Sequence, residues 1–326
     1  MLQRDRTYAI VIAIVLIVLL TRFFKEIASV PMMEEIPSLN LDSIVYATDF
    51  SVCSQNAGLY ASRLAKCFSA RLLVTHAFTL TQPAMEIEID SSRLSQQRKD
   101  LQFMLSRKAF TLASQTGEVV PMLLEGDPKK VLPKLASDCS PSMIILGTHG
   151  GGWMERGILG SVAEEILRST EWPCLTVGPQ VPSISSDDRL FDRILYTTDF
   201  SPAAAHAAAF AVSFAEAFRS RLDVLNVIHE GDVQHPDRLS DLQARFYAAL
   251  DRVIPDQARE FCDPRTFVAV GKAHDQILRH IREHSIDLLV LGVRKSARLR
   301  TEMRMSGLFP LILDAICPVL TITAEE

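Results

Sequence analysis

Gly147, Gly150, Gly160 and Ser161 stand in the order G-x2-G-x9-G-S. Glycines at a strand end and at a helix start let backbone amides approach a ligand with no Cβ in the way. A helix start also presents unpaired N–H groups and a partial positive charge, which suit a phosphate. The chemistry implied is anion binding, with the Ser161 hydroxyl as a further donor. The spacing is not that of a Walker loop, which needs Gly-Lys-Ser/Thr, nor that of the dinucleotide fingerprint G-x-G-x-x-G.

Those residues need a strand before them and a helix after them. The apolar run Met143-Ile144-Ile145-Leu146 reads as a buried parallel strand, and Val162 to Leu167 reads as a helix. The same alternation extends upstream. Strands are expected at 43–47, 71–78, 119–125, 143–147 and 174–177, and helices near 54–69, 90–116, 128–139 and 160–170. Ser51 and Ser201 sit where helix caps belong, and Pro202 follows at the favoured first helical position. Alternating strands and helices argue for a parallel sheet with helices on both faces.

The pattern occurs twice. Ser43-Ile44-Val45-Tyr46-Ala47-Thr48-Asp49-Phe50-Ser51 returns as Arg193-Ile194-Leu195-Tyr196-Thr197-Thr198-Asp199-Phe200-Ser201. Met143 to Gly147 returns as Leu288 to Gly292, and Trp172-Pro173-Cys174-Leu175-Thr176 returns as Cys317-Pro318-Val319-Leu320-Thr321. The interval is domain-sized, far above that of solenoid repeats. A chain of 326 residues also has room for two domains. The expected organisation is an N-terminal hydrophobic segment and tether at 1–40, a first domain at 41–180, a linker at 181–190 and a second domain at 191–326. The serine- and proline-rich stretch from Gly178 to Asp188 marks the boundary.

The glycine pattern resembles the ATP-binding signature of universal stress proteins, and the tandem repeat strengthens the likeness. The resemblance implies two Rossmann-like, HUP-type α/β domains. Each would be a five-stranded parallel sheet of order 3-2-1-4-5 with helices on both faces. Ligands in such sheets bind beyond the carboxyl ends of the strands, where the strand order reverses. Asp49 ends the first strand and Gly147 the fourth, so both fall at one crevice. By the same resemblance, Asp49 contacts the adenosine part of ATP and Ala77 offers its backbone to adenine. Gly126 lines the nucleotide, and Gly147, Gly150, Gly160 and Ser161 hold ribose and phosphates. Any Mg²⁺ is expected to be carried by the nucleotide, because no carboxylate cluster offers a dedicated protein site. Family members commonly pair through their last strands. The two domains are therefore expected to form an intramolecular pseudo-twofold dimer, with strands 174–177 and 319–323 adjacent, and further homo-oligomers are open.

Structural readings stand beside these. Asp49 could cap the following helix, Gly126 could serve only a turn before Pro128, and Gly160 could serve helix packing. His149 reads as a solvent-facing loop residue, His76 as a structural strand-end histidine, and Trp153 as an anchor for its loop. The second domain keeps Asp199, Gly271 and Gly292 but has Lys295, Met305 and Ser306 where Gly150, Gly160 and Ser161 stand. Arg294, Lys295, Arg298, Arg300 and Arg304, with Glu302, make its loop basic, which reads as a solvated loop before an anion site.

Net charge is −5 and aromatics are 7%, with no basic–aromatic interleaving, so nucleic-acid binding is not expected. The six cysteines are scattered without C-x-x-C and read as reduced thiols of a cytosolic protein, with Cys174 and Cys317 as small core residues at equivalent strand starts. No Cys–His or Ser–His–Asp set can be argued from spacing, so no catalytic residue is assigned and at most slow ATP hydrolysis is expected. A receiver domain would need an acidic pair and a phospho-acceptor aspartate, and an ATP pyrophosphatase a Ser-Gly-Gly-x-Asp-Ser loop; neither is present. The expected function is an ATP-binding regulatory or stress-response protein. The alternative is a nucleotide-free interaction module acting through domain pairing.

Tyr8 to Leu20 is apolar throughout, flanked by Arg4, Arg6, Arg22 and Lys25. Three readings fit it. Residues 7–24 form a short membrane anchor holding the tandem at the cytoplasmic face, or translation starts at Met32 or Met33, or the run is a signal peptide.

Overall fold

The computed structural model describes residues 39–79, 91–113, 117–140, 142–148, 159–185, 189–232, 239–295 and 307–325. The N-terminal apolar run, His149, Gly150 and Trp153 lie outside the described residues. So do Arg298, Arg300, Glu302, Arg304, Met305, Ser306 and the side chain of Lys295. Among the described residues no helix is long and apolar enough to cross a membrane.

In the first repeat β1 (Ser43–Ala47), β2 (Arg71–Phe78), β3 (Val119–Glu125), β4 (Met143–Gly147) and β5 (Cys174–Val177) alternate with helices. These are α1 (Val52–Phe68), α2 (Ser91–Ala113), α3 (Pro128–Cys139) and α4 (Ser161–Ser169). The strands are apolar on both faces because helices cover both: Ile44, Val45 and Tyr46 are consecutive and all buried. Local chemistry sets the helix starts. Ser51 Oγ accepts from Ser54 N at 3.2 Å to cap α1, and Asp127 Oδ1 accepts from Lys129 N at 3.1 Å to cap α3, with Pro128 at its first turn.

The second repeat has β6 (Arg193–Thr197), β7 (Arg221–Ile228), β8 (Arg265–Val270), β9 (Leu288–Lys295) and β10 (Val319–Glu325). Its helices are α5 (Pro202–Phe218), α6 (Leu239–Val253), α7 (Ala273–Glu283) and α8 (Leu308–Asp314). The strands of both repeats join one ten-stranded sheet of order β3-β2-β1-β4-β5-β10-β9-β6-β7-β8. Pairing is parallel within each repeat and antiparallel between β5 and β10.

The β5–β10 register is symmetric about Leu175 opposite Leu320, with Thr176 opposite Val319 and Thr321 opposite Cys174. Thr176 donates its hydroxyl to Val319 O at 3.1 Å, and Thr321 donates to Cys174 O at 3.2 Å. Both threonines are buried, so these bonds satisfy hydroxyls that would otherwise be desolvated without a partner. On one sheet face the two repeats share an aromatic cluster. Phe191 stacks on Tyr60 of α1 at 6.2 Å and meets Phe218 of α5 edge-on at 5.2 Å, while Phe68 of α1 meets Phe214 and Phe218. Buried residues of both repeats form one continuous cluster on each face of the sheet.

One correction concerns the cysteines. Cys174 begins β5, but Cys317 lies two residues before β10, in the place of Trp172, so the two cysteines do not occupy equivalent strand starts. Both thiols are buried, and burial pushes both well above the ordinary thiol range.

Candidate functional site

The carboxyl ends of β1 and β4 lie side by side, and the chain leaves them in opposite directions along the sheet, toward β2 and toward β5. The turn after β1 is tightly specified. Thr48 N donates to Thr75 O at 2.8 Å, Phe50 N donates to Thr48 Oγ1 at 3.1 Å, and Ser51 N donates to Asp49 Oδ1 at 3.0 Å. These bonds hold Phe50 at φ 63°, a left-handed conformation uncommon for a bulky residue and found where surroundings over-determine the backbone. The Tyr46 hydroxyl donates to Ser54 O at 2.5 Å and ties the first turn of α1 to β1. Burial pushes that hydroxyl far above its ordinary pKa, so it stays a neutral donor. Asp49 itself is exposed at the edge.

Gly147 is the last residue of β4, and Gly160 caps α4. Gly160 N donates to Thr148 O at 2.7 Å, which brings the start of α4 to the end of β4. The cap supplies no side-chain bond, so the first-turn amides of α4 face the edge with the helix dipole behind them. Ser161 is the first residue of α4 and is exposed. Ala77 lies near the end of β2, opposite Leu124 of β3, and Gly126 N donates to Phe78 O at 2.8 Å. Asp49, Gly147, Gly160 and Ser161 therefore gather at the ends of β1 and β4. Ala77 and Gly126 lie one and two strands outward on the same edge.

Two of the glycines answer to the fold itself. A Cβ on Gly147 would come within 2.7 Å of the backbone of Cys53 and Ser54 in the first turn of α1. Gly292, its counterpart in β9, would likewise strike the backbone of Ala203 at the start of α5. Close approach of strand to helix needs glycine at both places, whatever binds there. Gly126 sits at φ 135° and Gly271 at φ 141°, a region that side chains other than glycine's rarely enter.

His76, expected to be a structural strand-end histidine, donates from Nδ1 to Thr48 O at 2.8 Å. Sequence reading missed its counterpart Asn226, which does the same for Thr198 O at 2.8 Å, so both residues brace the turn. In the second repeat Asp199 accepts from Ser201 N as Asp49 does from Ser51 N, and Asp199 pairs with Arg294 at 3.1 Å. A separate cluster joins Asp223, His280 and His284 in the second repeat. Its signal was the His-x-x-x-His spacing on a helix, which puts both rings on one face.

Comparison with known proteins gives the same fold. The chain resembles a solved universal stress protein from Archaeoglobus fulgidus with a TM-score of 0.65 and 21% identity, over 86% of this chain and 98% of that one. A universal stress protein from Methanocaldococcus jannaschii is 28% identical over 137 residues, 41% of this chain and 80% of its own. A relative from Staphylococcus saprophyticus is 31% identical over 139 residues, 42% of this chain and 81% of its own. The model of the universal stress protein family matches twice, at residues 40–178 and 190–323, and with that double match covering most of its length the chain belongs to the universal stress protein family.

Proposed function

We propose that the chain is an ATP-binding stress-response protein that holds one nucleotide in its first repeat. The observation that carries the reading is the start of α4, whose cap supplies no side-chain bond, set against the end of β4 beside the Asp49 turn. Its amides and the Ser161 hydroxyl would donate to phosphate oxygens. Asp49 would meet the ribose side of the adenosine, the Ala77 backbone the adenine, and Gly126, Gly147 and Gly150 would line the path between. Mg²⁺ would arrive on the phosphates and neutralise them there. Residues 41–180 and 191–326 would act as the two domain units with 181–190 between them. The run at residues 7–24 is proposed as an anchor at the cytoplasmic membrane face, supported by the unbroken apolar stretch from Tyr8 to Leu20 within it and tested by cell fractionation.

A second reading, a nucleotide-free interaction module, draws support from Gly147 and Gly126, whose glycine character the fold alone explains. Calorimetric titration with MgATP separates the two. Saturable binding that is lost in Gly160→Met supports the nucleotide reading, since a side chain would then occupy phosphate space. Cyclic AMP, which keeps the adenine and ribose but lacks the triphosphate, shows in the same titration how much the phosphates contribute. Absence of saturable binding would leave the interaction module, and binding undiminished in Gly160→Met would overturn the placement of the phosphates at the start of α4.

A further inference from the structure

We propose that Asp223, His280 and His284 form a divalent transition-metal site of the zinc class in the second repeat. Asp223 is the third residue of β7, and His280 and His284 stand one turn apart at the end of α7. Their ligand atoms all lie within 4.8 Å of one another. His280 Nε2 is 2.8 Å from Asp223 Oδ2, and His284 Nδ1 is 3.4 Å from the same oxygen. The two imidazole rings are parallel, 4.0 Å apart at 4°. Phe267 of β8 meets both edge-on, at 4.6 and 4.9 Å, and so fixes their planes. Arg193 donates to His284 O at 2.7 Å and holds the helix end in place.

The fold does not need these residue types. Leu73 holds the third place of β2, and Leu135 and Cys139 hold the places in α3 that match His280 and His284. Leu73 and Leu135 belong to the apolar core of that sheet face. The second repeat thus replaces a leucine pair by a carboxylate and an imidazole at the same depth. Burying a carboxylate is costly unless every lone pair finds a partner. Asp223 is only 3% exposed, and its Oδ1 has no hydrogen-bond partner among the described residues. A sealed carboxylate with Oδ1 unsatisfied and Oδ2 beside two imidazole nitrogens is a group that a cation would complete.

The donor set points to the class of ion. Two imidazoles and one carboxylate suit zinc and its first-row neighbours rather than Ca²⁺ or Mg²⁺, which prefer all-oxygen shells. Tetrahedral zinc with bonds of about 2.0–2.1 Å spaces its ligand atoms by about 3.3 Å. The 3.4 Å separation already fits, and the 2.8 Å separation needs a small opening by His280. The side chain of His284 is 33% exposed, which gives an entry path and room for water in the fourth position. Arg265, the register neighbour of Asp223 on β8, directs its guanidinium to Asp263 at 3.2 Å instead. Bound metal would clip β7 to α7 and stabilise the second repeat independently of any nucleotide.

Titration of the chelator-treated full chain with Co²⁺, followed by its visible spectrum, tests the site. The expected result is saturation at one equivalent with the intense bands of tetrahedral cobalt, displaced by Zn²⁺. X-ray absorption of the zinc form should then show nitrogen and oxygen ligands without sulfur. His284→Ala, at the partly exposed ligand, should weaken binding at least about tenfold, since even outer-shell losses cost that much. Asp223→Leu combined with His280→Leu, which copies the residues of the first repeat, should abolish it and should remove the rise in melting temperature that zinc gives the unaltered chain. A sulfur-ligated spectrum, no saturation at one equivalent, or equal binding by the folded variants would overturn the proposal.

Discussion

The Arg294 guanidinium donates to Asp199 Oδ2 at 3.1 Å, across the ends of β9 and β6. Asp199 is the counterpart of Asp49, so in the second repeat the edge carboxylate already has a cation. Exposed pairs of this kind contribute about 0–1 kcal/mol, so the pair marks the altered edge without closing it. Because Lys295 and Met305 stand where Gly150 and Gly160 stand, the chain is expected to bind one ATP, with Arg294→Ala leaving both the stoichiometry and, within about 0.5 kcal/mol, the stability unchanged. Calorimetry that finds two equivalent sites, in either protein, would refute this.

Gly292→Ala should destabilise the chain as Gly147→Ala does, by about 1–3 kcal/mol, because each added methyl meets helix backbone that can move only with its helix. Urea denaturation measures both. A silent Gly292→Ala would show that the close approach in β9 relaxes freely, and a silent Gly147→Ala would show the same for β4.

Phe191 is 1% exposed and touches aromatic rings from both repeats. Phe191→Ala is expected to cost about 3–5 kcal/mol, the usual range for a buried phenylalanine. Since the sheet and both cores run through the two repeats, the unaltered chain should unfold in one transition. Two well-separated calorimetric transitions would contradict that.

In metal-free buffer, Asp223→Leu alone should cost about 1–3 kcal/mol by leaving the buried His280 Nε2 without its acceptor. Adding His280→Leu should recover most of the loss, because the leucine pair of the first repeat shows that the position packs without polar groups. A double-mutant cycle in chelator measures the coupling, and strictly additive losses would count against it.

Cys67 and Cys139 are exposed and should react quickly with a thiol reagent at neutral pH, whereas Cys174, Cys262 and Cys317 are buried and should react only on unfolding. For Cys262, burial first and the Asp263 carboxylate second push the thiol up to about 11 from 9.0, against the opposing effect of Arg259. A raised value favours the neutral thiol in the folded chain. Its contribution to stability is complete below 9.0 and is lost as pH rises through about 11. Mass spectrometry after timed alkylation reads the first point, and alkaline denaturation of Cys262→Ala against the unaltered chain reads the second.

Much of the architecture was written in residue order. The buried strands announced themselves as unbroken apolar runs such as Met143 to Leu146, because a strand covered on both faces has no polar side to show. Ser51 and Ser201 marked helix starts because capping is a local event, settled within three residues. The doubled Tyr-x-Thr-Asp-Phe-Ser segment fixed the two-repeat organisation, and both copies fold into the same turn with Phe50 at φ 63° and Phe200 at φ 59°.

What the sequence left open depended on partners far apart along the chain. Nothing near Gly147 shows that its missing Cβ makes way for Cys53, and nothing near Gly292 points to Ala203; strand-to-helix packing brings each pair together. The Thr176 and Thr321 hydroxyls acquire their acceptors only where β5 meets β10, and Arg294 reaches Asp199 only across the β9–β6 edge. Asp223 reads as one acid in an apolar strand until β7 packs on α7 and seats it beside His280 and His284. Local spacing specifies which elements form, because capping and periodicity act within a few residues. Which side chains share a site is decided by how those elements pack, and there contacts between residues distant in sequence determine the outcome.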